Sequence, residues 1–186
     1  MKLNLGCGLD HKEGFINVDK WPECKPDIIQ DLECFPWPFK TSSINEVCLK
    51  HVVEHIGQQP NIFLNFMQEL YRICDNNAKI EIIVPHPRSD YYLADPTHVR
   101  PIISNVLHLF DKKKCEEWVV QKRSNTPLAI VLNVDFEITN TRYLMEEPWK
   151  TKHEKGEMTS DQIFQAERIY YNIINTIEFE LRVRKK

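Results

Sequence analysis

The chain has 186 residues but only five glycines, and three of these, Gly6, Gly8 and Gly14, fall within its first fourteen positions. Average usage of roughly 7% would give about 13. Glycine tolerates left-handed backbone and lets another group approach the main chain closely. A chain that concentrates its glycines in one place is therefore built around a tight bend there. The bend follows a short apolar run, so the amino terminus reads as a strand, Leu3 to Leu5, entering the turn Gly6-Cys7-Gly8.

The rest of the chain alternates strand and helix signals. Phe15 to Asp19 and Asp27 to Asp31 read as strands that each end on an acid, with a proline-broken connection between them. Glu33 to Phe39 carries two prolines and is a loop; Ile44 to Val52 is a fourth strand. Pro60 opens a helix whose apolar residues Ile62, Phe63, Phe66, Met67, Leu70, Tyr71 and Ile73 recur at helical spacing, and Asp75-Asn76-Asn77 is expected to stop it. Lys79 to Val84 is a fifth strand. A polar, proline-rich connection from His86 to Pro101 follows, long for a compact domain. Ile102 to Gln121 predicts one or two helices and Asp135 to Leu144 a strand. Thr151 to Thr159 predicts a charged, exposed insertion, placing a polar segment around 150–160. Ser160 to Asn172 predicts a helix capped by Ser160 or Thr159, and Ile177 to Val183 a half-exposed strand of period two. Strands joined by helical crossovers predict an α/β fold: a Rossmann-like open, mostly parallel seven-stranded sheet with an antiparallel edge strand and flanking helices, formed by residues 1–186 as a single domain.

Composition bounds the function. A net charge of −3 and pI of about 6.2 argue against a nucleic-acid partner, which requires a strong positive field. The six cysteines contain no C-x-x-C pair. Without an apolar leader or a run long enough to span a bilayer, the chain reads as cytoplasmic with reduced thiols and no membrane partner.

The glycine turn is not a dinucleotide fingerprint. The third glycine position of G-x-G-x-x-G is His11, and the acid Asp19 follows too soon. What remains is a glycine turn followed by an acid after each of the next two strands. Asp19 can accept hydrogen bonds from a ribose diol, and Asp31 from an adenine amine. Together they describe a pocket for an adenosine without phosphates, whose carboxylates would repel ATP and tolerate a cationic sulfonium.

With those residues in view, Leu3-Asn4-Leu5-Gly6-Cys7-Gly8, Gly14-Phe15-Ile16-Asn17-Val18-Asp19, Asp31-Leu32 and His51-Val52-Val53-Glu54-His55-Ile56 resemble the S-adenosylmethionine-dependent methyltransferases of the Rossmann-like class, most of all the type 11 group, here with a shortened first crossover. The resemblance implies S-adenosylmethionine as cofactor. It implies that Gly6, Cys7 and Gly8 pass close to its methionine and ribose, that Asp19 holds the ribose diol with Lys20 beside it, and that Asp31 and Leu32 flank adenine. His51 would lie near the reacting methyl. The family's long first helix has no counterpart between Gly8 and Gly14. Glu54 and His55 either belong to this site or simply begin the next helix. Cys7 reads as a small packing residue rather than a nucleophile. Trp37 and Phe39 are either a lid on the sheet or an adenine stack.

The His86–Pro101 connection concentrates further chemistry. On the functional reading it binds the acceptor, with Arg88, Tyr91, Asp95 and Arg100 as candidates alongside Glu54 and His55. A neutral hydroxyl or amine acceptor must lose a proton, and His98, His86 and His51 are the candidate bases, in that order. Neither an Asn/Asp-Pro-Pro-aromatic motif nor a Pro-Cys nucleophile follows the fourth strand, which favours a small-molecule, sugar or peptide acceptor. No metal is expected on this reading. Two alternatives stay open: a metal-dependent hydrolase using His86, Asp90, Asp95 and His98, and a catalytically inactive binding subunit of the same fold. Oligomeric state is not legible.

Overall fold

A computed structural model describes residues 1–185. Seven strands, β1 (Lys2–Leu5), β2 (Ile16–Asp19), β3 (Ile28–Ile29), β4 (Ile44–Lys50), β5 (Cys74–Pro85), β6 (Phe136–Met145) and β7 (Ile174–Val183), form one sheet in the order β3-β2-β1-β4-β5-β7-β6. The first five run parallel; β7 is antiparallel to both β5 and β6 and lies one place in from the edge. The chain builds outward from β1 to β3 on one side and from β4 on the other. The topological switch point, where open α/β sheets hold their ligands, is therefore the β1/β4 junction.

Strand alternation assigns one face to the core. Leu3, Leu5, Val47, Leu49, Ile80, Ile82, Val84, Ile177, Phe179 and Leu181 are buried together with α1 (Pro60–Ile73), α3 (Ser104–His108), α4 (Lys112–Val120) and α5 (Leu128–Leu132). The alternate residues Glu46, Lys50, Lys79, Glu81, Glu178, Glu180 and Arg182 are half-buried or exposed. Parallel sheets are ordinarily covered on both faces. Here the β1–β2 crossover is too short for a helix, and an irregular loop lies over the polar face. Asp10 pairs with Lys50 at 2.6 Å and Lys12 with Glu81 at 3.3 Å. The shortened crossover thus leaves a wet, charge-paired surface where an apolar one would need a cover.

Several sequence expectations are corrected. Asp75-Asn76-Asn77 does not separate helix from strand. The chain passes directly from α1 into β5, absorbing the change in a register shift opposite Ile44 and a left-handed Asn77. The fourth strand stops at Lys50, two residues early, because His51 turns left-handed at φ 55°. The 151–159 segment is not merely a solvated insertion: α6 (Trp149–Glu154) and Met158 pack with α7 (Ser160–Ile169) in a small second cluster with Ile173 and Ile174. Thr159 is the α7 cap, in a reciprocal capping box with Gln162. That helix ends at Ile169, ahead of a left-handed Asn172. The 86–101 connection contains one helical turn, α2 (Asp90–Leu93), capped by Ser89.

Candidate active site

The glycine turn has the geometry its composition demands. Gly6 and Gly8 have φ of 66° and 49°, and the amides of Gly6 and Cys7 both donate to the Val18 carbonyl, at 2.8 and 3.0 Å. A Cβ on Gly6 would lie 2.5 Å from Cγ2 of Val52, so the turn is pressed against the chain leaving β4. Gly8 donates its amide to Oδ2 of Asp19 at 2.8 Å, and Trp21 donates to Oδ1 at 3.0 Å. Asp19 thereby ties the turn after β1 to the end of β2, and each oxygen keeps a lone pair for a ligand.

Two clefts meet at this turn. One, of about 490 Å³, is lined by Gly6, Asp19, Lys20, Trp21, Gln30, Asp31, Leu32, Glu33, His51, Val52, His55, Ile56 and Thr97. The two aspartates thus face a common open space. Asp31 accepts from the Glu33 amide through Oδ1. The other cleft, of about 480 Å³, runs onto the polar face of the sheet between Asn4, Cys7, Asp10, Lys12, Cys48, Lys50, Glu81 and Glu178. Gly6 and His51 belong to both. His51 is held at this junction by its amide, which donates to the Ile83 carbonyl at 2.8 Å. Such a left-handed non-glycine residue is uncommon and marks a position fixed by its surroundings.

Of the sequence candidates, Gly6, Asp19, Lys20, Asp31, Leu32, His51 and His55 line the first cleft, Cys7 the second, and Gly8 supports Asp19 from outside. Cys7 and Cys48 are packing thiols: burial pushes both up to about 11, reinforced by Asp19 at Cys7 and opposed by Lys12 at Cys48. Trp37 is a core residue, 2% exposed, with its indole N–H on the Leu32 carbonyl, so it is a lid on the sheet and cannot stack on a ligand. Sequence reasoning missed Trp21. It is 62% exposed and lines the aspartate cleft, where Trp37 does not reach.

The 86–101 connection divides. His98 packs edge-on against His55, with ring centroids 4.6 Å apart, and Nδ1 of His55 lies 2.9 Å from Thr97 Oγ1. Asp95 sits beside them, its Oδ2 3.9 Å from Nε2 of His98. His86 and Arg88 instead face Glu167 of α7, each at 3.6 Å, and line neither cleft. Burial pushes the His86 imidazole down. Tyr91 is exposed on a separate shallow concavity. Arg100 lies over the Phe63 ring at 4.3 Å and donates to the Gly57 carbonyl. The four residues of the hydrolase alternative do not converge, since His86 is against α7 and Asp90 is bonded to Asn172 at 2.9 Å. Glu54 is not a helix cap: it is fully buried in a 3-10 turn at Val53–His55.

Among the described residues, no helix is long and apolar enough to cross a membrane. No protein-family model matches the chain, and no curated protein matches it in sequence. Solved structures do match. One is the cyclase SpnF, with a TM-score of 0.55 over 100% of this chain and 75% of its own at 10% identity. Another is a SAM-dependent methyltransferase from Methanosarcina mazei, with a TM-score of 0.56 over 100% and 92% at 12% identity. A third, from Archaeoglobus fulgidus, is a SAM-dependent methyltransferase with a TM-score of 0.63 over 97% and 85% at 19% identity. The chain therefore has the Rossmann-like fold found in SAM-dependent methyltransferases, a fold that also serves a cyclase.

Proposed function

We propose that this protein is a single-domain S-adenosylmethionine-dependent methyltransferase acting on a small-molecule, sugar or peptide acceptor. One observation carries the reading: Asp19 and Asp31 face one open cleft at the switch point, and that cleft joins a second at Gly6 and His51. The fit to the cofactor rests on the same groups. Asp19 retains lone pairs for a ribose diol, Asp31 for an adenine amine, and Trp21 offers a stacking face. The excess of carboxylates at Asp19, Asp31 and Glu33 over the single cation Lys20 disfavours phosphates and suits a cationic ligand.

In the second cleft, Lys12 and Lys50 are the groups able to hold a carboxylate, and Asp10 and Glu81 an ammonium. These replace the helix that the short crossover cannot form. When bound, the cofactor supplies a methyl group on an activated sulfonium. The protein's task is alignment, which in well-oriented systems contributes on the order of 7–11 kcal/mol. His51, at the junction and 48% exposed, is the imidazole placed to take a proton from an acceptor. It displaces His86, which the fold carries away from the site.

The test is calorimetric binding of S-adenosylhomocysteine together with transfer of a labelled methyl group to a panel of hydroxyl and amine acceptors. The reading expects one-to-one binding that Asp19→Ala weakens at least tenfold without loss of fold. A wild-type protein that binds neither S-adenosylmethionine nor its product would refute it.

A further inference from the structure

Beneath the aspartate cleft lies a set of groups that cofactor binding does not use. Glu54 has no solvent exposure, and neither of its carboxylate oxygens has a hydrogen-bond partner among the described residues. Nδ1 of His51 is 3.4 Å from Oε1, near enough to attract but outside hydrogen-bond geometry. Buried polar atoms are ordinarily partnered, and two carboxylate oxygens left without a partner are acceptors that a bound cation would satisfy. One ligand atom from each of Glu54, His55 and His98 lies within 4.8 Å of the other two.

The surrounding hydrogen bonds decide what the imidazoles present. Nδ1 of His98 is 2.8 Å from the Tyr92 carbonyl, which can only accept, so in the neutral ring Nδ1 carries the proton and Nε2 a free lone pair. Nδ1 of His55 is 2.9 Å from Oγ1 of Thr97, whose own proton goes to Oδ1 of Asp95 at 2.6 Å. The hydroxyl is left to accept, so Nε2 of His55 is also free. A carbonyl behind one imidazole and a hydroxyl–carboxylate pair behind the other are the outer partners that metal-binding histidines have. The backbone fixes the set: the amides of Val99 and Arg100 both donate to the Glu54 carbonyl, at 2.9 and 3.2 Å, which clamps the His98 loop onto the Glu54 turn.

We propose that Glu54, His55 and His98 bind one divalent cation of borderline softness, of the zinc or manganese type, at the floor of the cleft. Two imidazoles and one carboxylate suit such ions and leave coordination positions open. His55 and Thr97 lie in the cleft wall that also carries His51, and Glu54 is 3.4 Å from His51, so a cation held there stands beside the Gly6–His51 junction where the two clefts meet. The role that follows rests on the methyltransferase reading: the cation binds an acceptor hydroxyl and lowers its pKa. The hydroxyl proton passes to His51, the oxygen lone pair forms the O–CH3 bond, and the electron pair of the broken S–CH3 bond returns to sulfur. This narrows the acceptor to an alcohol.

The test is a titration of the purified, chelator-treated full chain with Co2+, followed by its visible ligand-field bands, and then displacement by Zn2+. The proposal expects one equivalent bound. Thr97→Val, which removes a supporting partner, should lose roughly 10–100-fold in affinity, and Glu54→Gln and His98→Ala should each lose more than that. Circular dichroism identifies a variant that fails to fold; His55→Ala, at a partly exposed position, then stands in for it. Absence of Co2+ and Zn2+ binding to the wild type, or wild-type affinity in a folded Glu54→Gln variant, overturns the site. S-adenosylhomocysteine binding is measured on the same samples. If the product binds but no metal does, only the cation site falls; if metal binds but the product does not, the site stands and the methyltransferase reading falls.

Discussion

Alanine at Gly6 should be far more damaging than alanine at Gly8, although both glycines are left-handed and only one residue lies between them. The left-handed conformation costs an L-residue roughly 1–2 kcal/mol at either position. Gly8 has open space where a Cβ would go, with nothing within 4 Å. At Gly6 the Cβ would stand 2.5 Å from Cγ2 of Val52 and 3.2 Å from Cγ1. Val52 is β-branched and belongs to the buried core, so it has few rotamers to escape into. Overpacking of this kind adds about 1–3 kcal/mol. Gly6→Ala should therefore cost about 2–5 kcal/mol and Gly8→Ala about 1–2 kcal/mol. Urea denaturation measures both. The double variant Gly6→Ala/Val52→Ala supplies the control, because removing the Val52 methyls should recover about 1–2 kcal/mol relative to the sum of the single changes. Equal costs at the two glycines, or strict additivity in the double variant, would refute the claim that the turn is pressed against the chain leaving β4.

Alkylation by iodoacetamide at pH 7.5 should label the exposed Cys34 quickly while Cys7, Cys48 and Cys74 stay unmodified in the folded protein, since burial raises these three to about 11, 11 and 12; mass mapping of the modified sites reads the result. Glu69 accepts from the Trp37 amide at 2.6 Å and pairs with Arg72 at 2.7 Å, and although burial opposes it, these contacts hold its carboxyl below the usual range. Its contribution is present above the unfolded value near 4.5 and is lost as pH falls through the folded value. Glu69→Gln should thus cost about 1–3 kcal/mol at pH 7, and the gap from wild type should close on acidification below about pH 4. A gap independent of pH in urea melts would contradict the assignment.

The features nearest the amino terminus were the most legible, for physical reasons. Gly6, Gly8, Asp19 and Asp31 act through backbone conformation and strand ends, which are local properties, and the structure brings both acids into one cleft. The alternation of Ile177 to Val183 likewise announced a sheet face left to water. Helix and strand boundaries were less legible where tertiary contacts override local signals. Asp75-Asn76-Asn77 has the composition of a stop, yet it is drawn into β5, with Lys185 donating its amide to the Asn76 side chain. The 86–101 connection concentrated polar residues, but nothing in its composition shows that His86 turns to Glu167 while His98 turns to His55. Glu54-His55 and His98 lie far apart in sequence, and they meet only because β4 and β5 are neighbours whose carboxyl ends open together.

The most direct test of the central claim is a crystal structure of the protein with S-adenosylhomocysteine. The account predicts the ribose diol on Asp19, the adenine amine at Asp31 with its ring against Trp21, and the sulfur at the Gly6–His51 junction between the two clefts. A nucleoside bound elsewhere, or bound in this cleft with its ribose turned away from Asp19, would contradict it.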